Sequence, residues 1–217
     1  MTKYLFWDND GVLVDTEYWY FRATQRALGE LGVELTESTY LTFMSKGKPC
    51  WDLASDVGFG TPELEKKRSD RNSYYQNYLR SEDIEIPGVV EVLRALSETY
   101  TMAIVTTSRC EDFDLIHQHR SILPLMDFVI TREDYTKSKP DPEPYLAALK
   151  KFDARASDAI VIEDSQRGLQ SAVAAGIECV VVHNEFTKTH DFTGASHSIQ
   201  ALWELPELLR GRRLLTI

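Results

Sequence analysis

The stretch Tyr4-Leu5-Phe6-Trp7-Asp8-Asn9-Asp10-Gly11-Val12-Leu13-Val14-Asp15-Thr16-Glu17 decides the fold. Four apolar residues stop at two aspartates separated by one residue, and a glycine follows at once. The apolar run is short, aromatic-rich and unalternated, which fits a strand buried on both faces better than a helix. Gly11 permits the sharp backbone excursion that turns two carboxylates out of the strand end. In an open α/β sheet, ligands bind at the carboxyl ends of the strands. A carboxylate pair there reads as a cation site, as a nucleophile with its acid/base partner, or as both. The competing reading is a solvated Asp-rich turn after an edge strand.

Downstream, the texture changes twice. From Thr16 to about Ile86 no convincing strand appears, and helices are expected over 18–31, 36–44, 50–57 and 61–80. Thr61-Pro62-Glu63 is a good helix start, with Thr61 as a hydroxyl N-cap. Trp19, Trp51 and the tyrosines from Tyr74 onward read as the core of that bundle. Ile86-Pro87-Gly88 closes it. Beyond residue 87, strands at 102–105, 128–130, 159–162 and 179–182 alternate with helices at 89–98, 111–119, 142–151, 166–175 and 202–209. Strands separated by helices of this length mean right-handed βαβ units and a parallel sheet. The expectation is therefore an α/β core domain formed by residues 1–15 and 87–217. A helical domain, residues 16–86, is inserted just after the Asp pair, where a lid would hang over the strand ends.

Three strand ends carry polar residues where the binding edge should be: Asp8/Asp10, Thr106/Thr107/Ser108 and Glu163/Asp164. Lys139 joins them from the proline-stiffened loop Ser138-Lys139-Pro140-Asp141-Pro142. A lone Ser/Thr cluster after a strand is usually a helix cap, and a lone loop lysine is usually solvated. Four such features in register with an alternating fold are not well explained as caps. They fit phosphoryl transfer through a carboxyl-phosphate: one aspartate attacks phosphorus, and an acid two residues on protonates the leaving oxygen and later activates water. Carboxylates facing a phosphate need compensating charge, which oxygen-bound Mg2+ and a lysine supply. Thr106 offers a hydroxyl and nearby backbone N–H groups to the transferring oxygens.

Composition narrows the classes. A chain of 217 residues, 43% hydrophobic, buries a full core. A net charge of −10 makes a poor general binder of nucleic acid. No apolar run approaches a membrane span, and Met1-Thr2-Lys3 leads directly into the first strand without a secretory segment. Cys50, Cys110 and Cys179 are odd in number and widely spaced, so free thiols in a reducing cytoplasm are expected. No coiled-coil repeat is present, and a monomer or weak homodimer is expected. Neither the cysteines nor the histidines make a zinc pattern; His117 is read as packing.

On these residues the chain resembles the haloacid dehalogenase-like (HAD) superfamily along essentially its whole length. Asp8-x-Asp10-Gly11-Val12, Thr106, Lys139-Pro140 and Glu163-Asp164-Ser165-x-x-Gly168 match its four motifs in order. It looks most like the branch of β-phosphoglucomutase, phosphoglycolate phosphatase and small sugar phosphatases. That resemblance implies a Rossmann-like parallel-sheet core with an inserted α-helical cap. It implies that Asp8 is the nucleophile and Asp10 the acid/base, with Thr106 and Lys139 binding the phosphoryl group. Mg2+ would be held by Asp8, the Asp10 carbonyl and Asp164, with Glu163 assisting. Asp10 favours phosphate over halide chemistry, because haloacid dehalogenases do not keep it. Thr107 and Ser108 would line the phosphate site. In the cap, Lys46 and Lys48 would grip a second charged group, and Arg71 and Asn72 fall near the positions that hold a distal phosphate. The leading reading is an Mg2+-dependent cytoplasmic phosphatase of a small phosphorylated metabolite, with no nucleic-acid or membrane partner. A β-phosphoglucomutase-like isomerase and a non-catalytic phosphate-binding module are the alternatives.

Overall fold

The computed structural model of the chain describes residues 3–214; Met1 and Thr2, read above as a lead-in, lie outside them. Six strands are present among the described residues: β1 (Tyr4–Trp7), β2 (Thr101–Val105), β3 (Phe128–Ile130), β4 (Ala159–Glu163), β5 (Glu178–Val182) and β6 (His197–Ile199). They form one sheet in the order β3-β2-β1-β4-β5-β6, with every pairing parallel. The helices are α1 (Glu17–Gly29), α2 (Glu37–Ser45), α3 (Asp52–Asp56), α4 (Thr61–Ser81), α5 (Val89–Ser97), α6 (Cys110–His117), α7 (Glu143–Phe152), α8 (Gln166–Ala174) and α9 (Leu205–Leu214).

Two compact units divide the chain: Met1–Asp15 with Glu85–Ile217, and Thr16–Ile84. In the α/β unit, alternate strand residues sort to opposite faces of the sheet, as the pleat dictates. Leu5, Trp7, Met102, Ile104, Ile160, Ile162 and Val180 pack with Leu93 of α5, Phe113 of α6 and Leu209 of α9. Phe6, Ala103, Val105, Val161 and Val181 pack on the other side with Tyr145 and Ala148 of α7 and Leu169 of α8. Both layers are needed, because a parallel strand has two apolar faces to cover. Ile86 packs against the first of these layers, which carries the unit's second segment back to Glu85.

The position of β1 follows from this topology. The chain runs outward through β2 and β3 on one side, then returns to lay β4, β5 and β6 on the other. The reversal lies between β1 and β4, and a doubly wound sheet opens its ligand crevice beyond the strand ends at such a switch point. Asp8 and Asp10 follow β1, and Glu163 and Asp164 end and follow β4.

The sixth strand is a correction to the sequence reading. His197-Ser198-Ile199 is three residues long and polar, and only Ile199 is buried. It offers neither an apolar run nor a period, and it exists because β5 presents an open edge.

In the helical unit, α1 and α4 meet through Trp19 on Tyr78 (ring centroids 5.3 Å apart) and Tyr20 on Tyr75 (5.2 Å). Two local expectations change. The N-cap of α4 is Gly60 rather than Thr61: the Glu63 carboxylate accepts the Gly60 N–H at 3.2 Å, so the helix starts one residue earlier than a Thr61 cap would set it. Tyr74 is half-exposed; its hydroxyl donates to Glu30 at 2.8 Å, and Arg26 covers its ring. Only Tyr75 of this tyrosine run is fully buried.

Candidate active site

Backbone geometry comes first. The Asn9 carbonyl accepts from the N–H groups of Val12, Leu13 and Val14, which wraps residues 9–14 into a tight loop after β1. Gly11 has φ +82°, and a Cβ there would lie 2.2 Å from an Asp164 carboxylate oxygen. Only glycine satisfies both conditions.

Lys139 is the hub. It is 4% exposed, and its ammonium donates to Asp8 Oδ1 at 2.8 Å, to Glu163 Oε1 at 2.7 Å and to the Val105 carbonyl at 2.8 Å. All three of its hydrogens are therefore placed. Glu163 is fully buried and also accepts from the Tyr145 hydroxyl at 2.8 Å, from the Ser165 hydroxyl at 3.0 Å and from the Asp164 N–H at 3.2 Å. Gly168 lets this carboxylate sit against α8, since a Cβ there would come within 1.8 Å of it.

The electrostatics follow from this packing. Burial pushes the Asp8 carboxyl up to about 7, with Glu163 adding to the rise and Lys139 opposing it. Burial also acts against the ionised forms of Glu163 and Lys139. Their mutual ion pair and hydrogen bonds outweigh it, holding Glu163 low and Lys139 high. The site thus keeps a firmly charged Lys139–Glu163 pair beside a carboxyl whose charge is readily changed.

Asp10 accepts from the hydroxyls of Ser108, in a short hydrogen bond, and of Thr106 at 3.4 Å. The Ser108 N–H donates to Thr106 Oγ1 at 3.0 Å, and the Tyr135 hydroxyl holds the Thr106 carbonyl at 3.0 Å. Asp8, Asp10, Thr106, Ser108, Lys139, Glu163 and Asp164 are thus brought together, with Thr107 on the same loop. Asp8, Glu163 and Asp164 present carboxylate oxygens within 4.8 Å of one another, an all-oxygen donor set that fits a hard divalent cation. Lys46, Lys48, Arg71 and Asn72 belong to the helical unit. Both lysines are exposed in the loop after α2; Arg71 on α4 lies 4.3 Å over the Tyr20 ring and donates to Asn72 at 2.9 Å.

Two contributors escaped the sequence reading. Tyr145 carries an apolar ring at a helix-core position, and only its hydroxyl reveals the link to Glu163. Asn9, fully buried between the two aspartates, meets His117 Nε2 through its Oδ1 at 2.8 Å. Asn9 Nδ2 and His117 Nδ1 have no hydrogen-bond partner among the described residues. The signal was available: a polar residue centred in an apolar strand end needs a buried partner.

Burial lowers His117 to about 4 from an ordinary 6.5. A depressed folded-state value means that its contribution to stability is full above pH 6.5 and is lost as pH falls through 4. The contribution is on the order of 3 kcal/mol. Chemical denaturation at a series of pH values will show the wild type losing stability across this window more steeply than His117→Phe. Parallel profiles would remove His117 from the account.

The chain matches the family model described as "Haloacid dehalogenase-like hydrolase" over residues 5–182. It is 28% identical over 211 residues to validoxylamine A 7'-phosphate phosphatase of Streptomyces hygroscopicus subsp. limoneus, covering 96% of each chain. It is 29% identical over 188 residues to a phosphorylated carbohydrates phosphatase of Thermotoga maritima, covering 83% of this chain and 85% of that one. Among solved structures, CbbY from Rhodobacter sphaeroides in complex with phosphate superposes with a TM-score of 0.80 at 20% identity, covering 94% and 96% of the two chains. The buried Asp–Lys–Glu hub, its place at the switch point of the sheet and a match spanning most of the sequence agree, and the chain belongs to the haloacid dehalogenase-like hydrolases.

Proposed function

We propose that the protein is an Mg2+-dependent phosphatase of a small phosphomonoester, such as a sugar phosphate, working in the cytoplasm through a phosphoaspartate on Asp8. The observation that carries this reading is Lys139, which holds Asp8 by one oxygen while Glu163 anchors the lysine from behind. A carboxylate so oriented is a nucleophile with its approach direction set. The phosphatases named above support the substrate class. Three free cysteines and no helix among the described residues long and apolar enough to cross a membrane fit the proposed compartment.

In this mechanism Asp8 attacks phosphorus and the P–O bond to the leaving group breaks. Asp10 gives its proton to the departing oxygen, then takes one from the water that hydrolyses the acyl phosphate. Thr106 contacts the transferring oxygens, and Lys139, from its place beside Asp8, offsets their charge, with Thr107 and Ser108 lining the loop. Asp8, the Asp10 carbonyl and Asp164 hold the cation, and Glu163 assists by fixing Lys139. Bound Mg2+ supplies charge compensation for the phosphoryl group. The helical unit acts as a cap, in which Arg71, Asn72, Lys46 and Lys48 read the rest of the substrate.

Phosphate release from a panel of small phosphomonoesters, with Mg2+ and then with EDTA, tests the reading. Metal-dependent release is expected, and Asp10→Asn should lower turnover roughly 10²- to 10⁴-fold while keeping Mg2+ binding. An active Asp10→Asn enzyme would overturn the acid/base role. Including β-glucose 1-phosphate with NMR detection separates the mutase, which would yield glucose 6-phosphate without free phosphate.

The raised Asp8 value carries its own sign. Below about 7 the carboxyl holds a proton that a cation must displace, so Mg2+ binding should release close to one proton at pH 6 and almost none well above 7. Calorimetry in buffers of different ionisation enthalpy reads that number, and a pH-independent count would contradict the assignment. In the cap, Arg71→Ala should raise KM with little change in kcat. Unchanged kinetics across the panel would take Arg71 out of substrate recognition.

A further inference from the structure

Asn184 lies two residues past the end of β5. Its Oδ1 accepts from the Thr187 N–H at 3.0 Å and from the Thr187 hydroxyl at 3.1 Å. A backbone N–H can only donate, so these contacts fix which end of the amide is oxygen. The other end, Nδ2, therefore faces Asp164 Oδ2 at 2.7 Å, with the Gly11 carbonyl at 3.4 Å. Thr187 is 2% exposed, so the clamp is anchored in the fold. A Cβ on Gly11 would meet Asp164 Oδ2 at 2.2 Å and Asn184 Nδ2 at 2.9 Å, so the glycine, the carboxylate and the amide are in contact.

We infer that Asn184 is a positioning residue that sets the orientation of the Asp164 carboxylate for a divalent cation, and that Thr187 in turn sets Asn184. The inference rests on the Mg2+ role proposed for Asp164. The chemistry favours an amide at this place. Asp164 ends a strand–helix junction, where its carboxylate can turn about its terminal bond. One N–H···O⁻ bond stops that turning. An amide donor does so without adding positive charge, whereas a lysine or arginine would form an ion pair with Asp164 and compete with the cation. Asp8 is treated in the opposite way, since Lys139 neutralises it directly. Of the two carboxylates proposed to share the cation, the one that also attacks phosphorus is oriented by a cationic side chain, and the one that only binds metal by a neutral one. Partners that orient a metal ligand from outside its coordination sphere typically change metal affinity roughly 10- to 100-fold when removed.

The test is calorimetric titration of Mg2+ alone into the full chain, into Asn184→Leu and into Thr187→Val, with p-nitrophenyl phosphate turnover measured across a Mg2+ series. Asn184→Leu should bind Mg2+ roughly 10- to 100-fold more weakly. Thr187→Val, which keeps the shape and the backbone donor, should weaken it less but in the same direction. In both variants kcat at saturating Mg2+ and KM for p-nitrophenyl phosphate should return to wild-type values, a recovery that a merely distorted site would not show. Wild-type Mg2+ affinity in the variants, or a loss of turnover that saturating Mg2+ does not restore, would overturn the inference. If Asn184→Leu fails to fold, Thr187→Val alone decides it by the same readings. Absence of Mg2+ binding by the wild type would instead sink the metal reading on which the inference stands.

Discussion

The site depends on one ammonium group kept out of water. Lys139 makes three hydrogen bonds in a place where an unpaired charge would be strongly destabilising, and each acceptor belongs to a different strand end. Asp8 follows β1, Val105 ends β2 and Glu163 ends β4, so the lysine ties together the three central strands of the sheet. A buried ion pair is weak evidence for net stability, because desolvation cancels much of the Coulombic gain. Its value here lies in geometry. Moving any of these strands by a residue would strand a charge in the interior, at a cost of several kcal/mol.

The surrounding packing makes that arrangement possible. Glu163 tolerates full burial because Tyr145, Ser165 and backbone N–H groups share its oxygens with the lysine. Gly168 and Gly11 act at two close approaches where a methyl group would not fit. The same economy holds beyond Asp164, where Asn184 and Thr187 form a relay of neutral donors. A charged partner stands beside the proposed nucleophile and a neutral one beside Asp164, proposed to bind metal alone, and that difference organises the site.

What was legible in the sequence follows from the strength of local signals. The run Tyr4–Trp7 ending in Asp8 marked a doubly buried strand, and the polar triplet after Val105 marked a strand end on the binding edge, because burial imposes these patterns residue by residue. Lys139 was legible through its prolines, although its three acceptors were not. The strand at His197–Ile199 left no mark, since an edge strand held by one neighbour needs little hydrophobicity. Asn184 was silent for a different reason: an asparagine after a strand is ordinarily a turn residue, and nothing nearby says that its amide reaches a carboxylate 20 residues earlier. Asn9 carried a readable conflict, a polar side chain inside an apolar context, but its resolution in His117 lies 108 residues away.

The central place of β1 also has a temporal side. Its neighbours on either side, β2 and β4, begin at Thr101 and Ala159, so the chain must grow far beyond Trp7 before that strand has both partners. At typical rates of synthesis the interval is roughly ten to thirty seconds. Throughout it, Tyr4–Trp7 remains an adhesive apolar segment with at least one open edge, joined to a helical unit, Thr16–Ile84, that is fully synthesised before β2. Asp8 and Asp10 therefore follow the strand that waits longest for its partners. Nascent chains stalled before Ala159 would expose it to chaperones and to one another, and competence for catalysis would arrive in a single late step.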